Sequence, residues 1–178
     1  RALEVSERSR ARALLDAVRG RAAVPESAAQ TADLAQLQRL LRPDERVVQF
    51  HSLPQQLRVW VVGPDSIEAK TLPIKRDELV DLVDGFRNSV VRGRRTAVIN
   101  AERMGEGLLG PLGLKPGQRL IFVPHGALHY LPFQALRLNG KYLIEAHPVA
   151  VAPSMSLAVQ LAQRTPSVAP TLTAFGNP

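Results

Sequence analysis

Two histidines, His125 and His129, lie in the stretch RLIFVPHGALHYLPFQAL, which runs from Arg119 to Leu136. A short apolar run of the kind found in buried strands directly precedes the pair His125-Gly126. Open α/β sheets bind their ligands at the carboxyl ends of strands, and many hydrolases keep a general base there. His125 could therefore be a general base, or it could be a structural residue of a turn.

A general base needs a nucleophile or a bound water to act on. The 178 residues contain no cysteine, so a nucleophile from this chain would have to be a serine or a threonine. Ser154 and Ser156 are candidates by position only, because their context, APSMS, is not the G-x-S-x-G elbow of serine hydrolases. A turn histidine is the favoured interpretation, and a serine hydrolase that uses Ser154 and His125 is kept as an alternative.

Metal and phosphate sites have no convincing motif. The four histidines include one i, i+4 pair, His125 and His129, but such a pair binds metal on a helix, and here a glycine follows His125 and a proline follows the segment. The segments RMGEGLLG and LKPGQR lack the order of a phosphate-binding loop. We interpret Gly105 and Gly107 as residues that weaken a helix, and we predict no catalytic, metal-binding or cofactor-binding residue in this chain.

Composition and charge limit the classes of function. Aromatic residues make up 4% of the chain and hydrophobic residues 45%, so the core must consist mainly of Leu, Val, Ile and Ala. The net charge of +7 permits nucleic-acid binding, but much of the excess is arginine scattered along helices without interleaved aromatics, which favours a solvated surface. No apolar run approaches the roughly 18 residues of a membrane span, and the first residues lack a signal-peptide core. The sequence predicts a cytoplasmic protein without membrane or nucleic-acid partners.

The first part of the chain combines helical and strand patterns. Helices are predicted over about residues 2–21 and over 31–41, where three leucines share one face. ERVVQFHSL, QLRVWVVGP and SIEAKTLPI, which cover residues 45–74, are rich in β-branched and aromatic residues and are separated by turn signals. They predict an antiparallel meander.

Helical patterns return in the middle of the chain. KRDELVDLVDGFRNSVVRG, residues 75–93, predicts the clearest helix, and a second helix is predicted over about 98–112 with Gly113 as its terminator. The apolar face of the first helix is predicted to hold Leu79, Val80, Leu82, Val83, Phe86 and Val90.

The last part of the chain is predicted to begin with a buried strand, RLIFVP. Extended structure broken by Pro148 is predicted over residues 141–154, then a helix capped by Ser154, then a strand in TLTAFGNP, residues 171–178. The predicted fold class is three-layer α/β. It comprises a sheet around RLIFVP with flanking helices, an antiparallel β-section at residues 46–74, and N-terminal helices.

Four segments follow one another along nearly the whole chain: SERSRARALLD, LAQLQRLLRPDERVVQFHSLPQQLRVWVV, RLIFVPHGALHYLPFQALRLNGKYLIEAHPVAVAPSMSL and LTAFGNP. The third contains a strand, a Pro-x-Gly, a Leu-Pro-Phe-x-Ala-Leu and a later strand that ends in Pro-Ser. In their order and spacing the segments resemble the CHAT domain, the caspase-like module found behind tetratricopeptide repeats in bacterial proteins.

The resemblance implies a caspase-like fold and divides the chain into two parts. Residues 1–24 resemble the helix that leaves a repeat array, and residues 25–178 resemble the N-terminal, pseudo-protease half of a CHAT-like domain. The family implies cysteine endopeptidase activity. Its catalytic histidine and cysteine lie beyond the Gly-Asn-Pro, however, so neither is carried over to a residue of this chain.

We therefore predict a chain that is inactive by itself. It would scaffold a C-terminal catalytic half, link that half to N-terminal helical repeats, and self-associate through an exposed sheet edge when that half is missing. A stand-alone protein-interaction module is the alternative. A structural role is expected for Pro124, His125, Gly126, Leu131, Pro132, Phe133 and Ser154.

Overall fold

The computed structural model describes Leu3, residues 34–93, residues 95–155 and Ala158. The predicted helix over 2–21, apart from Leu3, and the predicted strand over 171–178 lie outside the described residues. In chain order the elements are α1 (Leu34–Leu40), β1 (Glu45–Ser52), β2 (Leu57–Val62), β3 (Ile67–Leu72), α2 (Arg76–Val91), α3 (Thr96–Leu109), β4 (Arg119–Val123), β5 (Arg137–Leu138), β6 (Lys141–Tyr142), α4 (Leu143–Ala146) and β7 (Val149–Val151). Short 3-10 helices cover Gly110–Leu112, Gly126–Tyr130 and Phe133–Ala135.

Five of the strands form one mixed sheet in the order β3-β2-β1-β4-β7. The antiparallel meander β1-β2-β3 is confirmed, and β4 and β7 add to it in parallel. The predicted β-section at residues 46–74 is therefore part of the same sheet as RLIFVP. The physical reason is that β1 is apolar on both faces, as in Val47 and Val48, and such a strand belongs in the interior of a sheet.

Two apolar cores lie on the two faces of this sheet. Because successive strand residues point to opposite faces, Val48 joins the core under α2 and α3, whereas Val47 joins the core under α1. Leu37 of α1 is buried in the second core, and Leu3 packs there too. Helices thus cover both faces, which confirms the predicted α/β architecture of a sheet flanked by helices.

Helix α2 has a narrower apolar stripe than the sequence predicted. Val80 and Val90 are 38% and 46% exposed, so their placement on the buried face was wrong. A helix that covers a sheet buries one row of residues at a spacing of three and four, and more lateral positions reach solvent. The buried row consists of Leu79, Val83, Phe86 and Ser89.

Gly105 of α3 has a packing role that the sequence interpretation missed. A Cβ built on Gly105 would lie 1.8 Å from the backbone carbonyl oxygen of Arg137 in β5. The helix and the hairpin β5-β6 approach so closely that only glycine fits at their contact. Gly107, by contrast, is exposed, and a Cβ at that position would meet no atom within 4 Å.

The segment over residues 141–154 was predicted to be extended with a break at Pro148, and it is extended only in part. It folds into β6, one turn of helix in α4, and then β7. The Glu145 carboxylate accepts the backbone N–H of Tyr142 at 2.6 Å, and this bond to the residue before the helix caps its first turn. This capping hydrogen bond favours a turn of helix here over the extended structure that the side-chain pattern predicted.

Candidate functional site

Two histidines meet at one end of the strands. Because β1 and β4 are parallel, their carboxyl ends lie at the same end of the sheet. The last paired residues are Gln49 and Val123, and His51 and His125 each follow two residues later. Their rings lie 4.6 Å apart between centroids, with their planes tilted by 39°. His51 was not predicted to belong to this site, because its partner is distant in sequence.

His125 accepts a hydrogen bond from the main chain. The backbone N–H of Ser52 donates to His125 Nδ1, with 3.2 Å between the two nitrogens. An amide N–H can only donate, so Nδ1 must be unprotonated and the neutral ring carries its proton on Nε2. Arg76 Nη2 donates to the Ser52 carbonyl at 3.3 Å. Both polar groups of the Ser52 backbone thus have side-chain partners.

This hydrogen bond occupies the place of a missing strand partner. The ladder between β1 and β4 ends at Gln49 and Val123, so no residue of β4 stands opposite Ser52. The His125 ring fills that position and extends the ordered end of β1. Ser52 is 4% exposed, and an amide buried to that degree needs an acceptor.

The predicted turn after β4 is present in a specific form. His125 is extended, with φ −140° and ψ 140°, and Gly126 then takes φ +59° and begins a 3-10 helix. Glycine favours this left-handed conformation because it has no Cβ. The segment was predicted to be non-helical, and this short helix corrects that view. His129 lies on it and is exposed.

The Leu131-Pro132-Phe133 segment lies against the core under α2 and α3. Leu131 is 5% exposed and Phe133 is 1% exposed. The Phe133 ring stacks on Phe122 of β4, with centroids 4.2 Å apart and planes within 10°, and it also lies 5.7 Å from the ring of Phe50. Three aromatic rings from distant segments thus hold the turn against the sheet.

Ser154 follows β7, the strand that lies parallel to β4. It is therefore at the same carboxyl end of the sheet as His125. It is 2% exposed, and its carbonyl oxygen accepts the N–H of Ala158 at 3.2 Å. Its neighbours Ala152 and Met155 belong to the core under α1. Ser156 lies outside the described residues.

A cavity of about 390 Å³ opens beside His125. Of the described residues that line it, none carries a carboxylate, and its one cation, Arg76, already bonds to the Ser52 carbonyl. Such a cavity can accept an apolar group. Ser52 and His125 both line it, but His125 Nδ1 bonds to the backbone N–H of Ser52 and not to its hydroxyl. Its lining consists of Ser52, Arg76, Leu79, Val80, His125, Gly126 and Ala127.

Neither a metal centre nor a membrane span is found in the part of the chain that the structure describes. There, no group of three or more His, Asp or Glu side chains could hold a metal ion. The described helices are all too short or too polar to cross a bilayer.

The five-stranded mixed sheet with helices on both faces is consistent with a caspase-like α/β protein. The family model of the CHAT domain matches residues 99–178, a range that begins in α3 and includes β4, the Pro-His-Gly turn and β7. Over these residues the chain is similar to the CHAT domain, a family that is caspase-like and related to proteases. The resemblance to the CHAT domain that was seen in the sequence is thereby confirmed over residues 99–178. No curated protein matches the chain.

Proposed function

We propose that this chain is the non-catalytic first half of a CHAT-type, caspase-like cysteine protease. It scaffolds the catalytic half and links that half to helical repeats. The observation that carries the proposal is the hydrogen bond from Ser52 N–H to His125 Nδ1. It gives a structural use to the one histidine whose His-Gly context resembles a catalytic motif.

Chemistry supports the same role. A cysteine peptidase needs a thiolate and a nearby histidine, and this sequence has no cysteine. The His125 Nδ1 lone pair is already shared with an amide, and its Nε2 carries a proton in the neutral ring. In that tautomer neither nitrogen can take a proton from a nucleophile unless the bond to Ser52 is broken.

The serine hydrolase alternative is disfavoured by the same geometry. Ser154 is 2% exposed, so a substrate carbonyl could not reach its hydroxyl without a local rearrangement. In a working pair the base has a lone pair directed at the serine hydroxyl, whereas His125 directs Nδ1 at Ser52. Labelling of Ser154 by a fluorophosphonate probe in the folded chain would support the hydrolase and contradict the proposal.

The partner role is proposed for the β7 edge of the sheet. In the described part of the chain, β7 pairs on one side only, with β4. Val151 is 56% exposed, and main-chain bonds to β4 are formed by the Pro148 carbonyl and the Ala152 N–H. Since bonding directions alternate along a strand, Val151 directs its own N–H and C=O away from β4. This edge could continue the sheet into a catalytic half.

A stand-alone interaction module is the second candidate, and the same exposed β7 edge supports it. Here the edge docks a different protein by adding a strand, as many peptide-recognition domains do. The two candidates are distinguished by the gene. A His-Gly, a strand and a cysteine encoded after Pro178 support the protease, and a stop codon there supports the module.

The decisive experiment is His125→Asn in the full gene product. Asparagine Oδ1 can take the position of histidine Nδ1 and accept the Ser52 N–H, but asparagine cannot act as a general base. We expect peptidase activity on an unfolded protein substrate to stay within about twofold of the wild type. A folded variant that loses its activity would show that His125 is catalytic and would refute the proposal.

A further inference from the structure

Another histidine, His147, is held at the opposite end of the strands. His147 directly precedes Pro148 and β7, and Gln118 directly precedes β4, so both lie at the amino ends of parallel strands. His147 is 4% exposed, and its Nδ1 lies 2.9 Å from the carbonyl oxygen of Gln118. A carbonyl can only accept, so Nδ1 carries the proton and Nε2 of the neutral ring has the free lone pair. This tautomer is the reverse of that of His125.

The backbone around His147 holds this ring in place. Gly117 N–H donates to Ala146 O at 3.1 Å, and Leu120 N–H donates to Pro148 O at 2.8 Å. The N–H of His147 itself donates to Leu143 O at 2.9 Å. Together these bonds fix the segment before β7 against the segment before β4. Hydrogen bonding by one ring nitrogen sets the tautomer and aims the other nitrogen, as it does in histidines that bind ligands.

The His147 ring lines a cavity of about 210 Å³, which we call the His147 pocket. Among the described residues, the Gln118 carbonyl is the one hydrogen-bond partner of this ring, so Nε2 accepts no hydrogen bond from them. Most of the wall is apolar, and besides His147 its polar side chains are those of Asn139, Lys141 and Tyr142. The other lining residues are Leu114, Pro116, Leu138, Leu143 and Ala146.

We propose that the His147 pocket binds a single aromatic ring that carries an O–H or N–H donor, such as a phenol or an indole. The volume is below the roughly 300–1,000 Å³ of sites for drug-sized ligands, so it suits one ring system. The apolar wall favours an aromatic body, and the Nε2 lone pair favours a donor and disfavours a carboxylate in the same position. The ring comes either from a free small molecule or from a Tyr or Trp side chain of a protein.

This site does not depend on the scaffold role. The pocket is formed by loops and short elements at the amino ends of β4 and β7, whereas His125 lies at their carboxyl ends. It uses the buried imidazole of His147, which has no part in the scaffold role. Failure of one proposal therefore leaves the other intact.

The first test compares two ligands of one shape. Titration of the 178-residue chain with phenol, followed by nitrogen-15 NMR, should shift the His147 Nε2 resonance and the amides that line the pocket. Toluene lacks the donor and should bind about tenfold more weakly, the loss expected for one hydrogen bond at a partly buried site. Equal affinities for phenol and toluene, or an Nε2–H tautomer in the free protein, would overturn the proposal.

The second test uses matched variants. In His147→Asn the side-chain amide can still donate to the Gln118 carbonyl, but the acceptor at Nε2 is lost. We expect the preference for phenol over toluene to disappear in this variant. Ala146→Leu should fill the pocket and abolish binding of both ligands, while His129→Asn, at an exposed histidine outside the pocket, should change neither. A phenol preference that persists in His147→Asn would refute the site.

A third titration identifies the source of the ring. N-acetyltyrosinamide presents the phenol as a protein side chain does. Binding as tight as that of phenol indicates a side chain of a partner, and binding of phenol and indole alone indicates a small molecule. If phenol, indole and N-acetyltyrosinamide all fail to bind to the folded chain, the proposal is wrong.

Discussion

The backbone N–H of Ser52 donates to the Nδ1 of His125, and the two residues are 73 positions apart in the chain. The bond joins the end of β1 to the turn that follows β4. It makes His125 part of the sheet edge and fixes its proton on Nε2. A histidine that resembles a general base by its sequence context thus accepts a hydrogen bond from the backbone of β1.

The first prediction concerns this hydrogen bond. His125→Ala leaves the buried Ser52 N–H without its acceptor, and the free energy of unfolding should fall by about 1–3 kcal/mol. His125→Asn also removes the ring contact with His51 but supplies a new acceptor, so it should lose clearly less. Urea unfolding of the two variants measures the difference. Equal losses would indicate that the ring contact, and not the hydrogen bond, is what stabilises this edge.

The second prediction concerns the close approach of α3 to β5. Gly105→Ala forces a Cβ into the Arg137 carbonyl, and it should destabilise the fold by at least about 2 kcal/mol, as in an overpacked core. Gly107→Ala is the matched control on the same helix, where the space is open. It should stabilise by about 0.5–1 kcal/mol, because alanine is the better helix former. Thermal or urea unfolding gives both values, and changes of the same sign would contradict the packing.

The third prediction concerns the aromatic stack behind the His125 turn. Phe133→Ala removes a ring that is 1% exposed and contacts both Phe122 and Phe50, and it should cost about 3–5 kcal/mol. Tyr130→Ala is the control three residues earlier. Tyr130 is 66% exposed and has Arg87 over its ring, so its loss should cost less than about 1 kcal/mol. A small loss for Phe133→Ala, measured by urea unfolding, would mean that the Leu-Pro-Phe segment is not an anchor.

The fourth prediction concerns the β7 edge. We expect the isolated 178-residue chain to self-associate, and Val151→Lys should shift it toward the monomer, because lysine on an edge strand opposes strand pairing. Val91→Lys makes the same change at a valine that is 84% exposed at the end of α2, and it should leave the association unchanged. Light scattering over a range of concentrations distinguishes the two variants. A wild-type chain that stays monomeric at high concentration would count against a docking role for this edge.

Local patterns were sufficient for the elements with strong periodicity. The β-branched alternation of residues 45–74 predicted three strands, and the leucines and valines of residues 75–93 predicted α2. Local patterns were not sufficient where a contact with a distant segment determines the role of a residue. Gly105 looks like a flaw in a helix until Arg137 is placed against it, and Val80 and Val90 look like core residues until the sheet defines which row of α2 is covered.

The sequence by itself determined that this chain has no cysteine nucleophile, that an apolar strand precedes Pro124-His125-Gly126, and that residues 99–178 are similar to a CHAT domain. Only the tertiary structure decided what the histidines do. β4 lies beside β1 because β1 must bury both faces, and this pairing brings His125 to Ser52. The same sheet places His147 against Gln118 at its other edge. The tautomers of the two rings are opposite because one ring faces an amide and the other a carbonyl, and neither partner can be identified from the residues next to it in sequence.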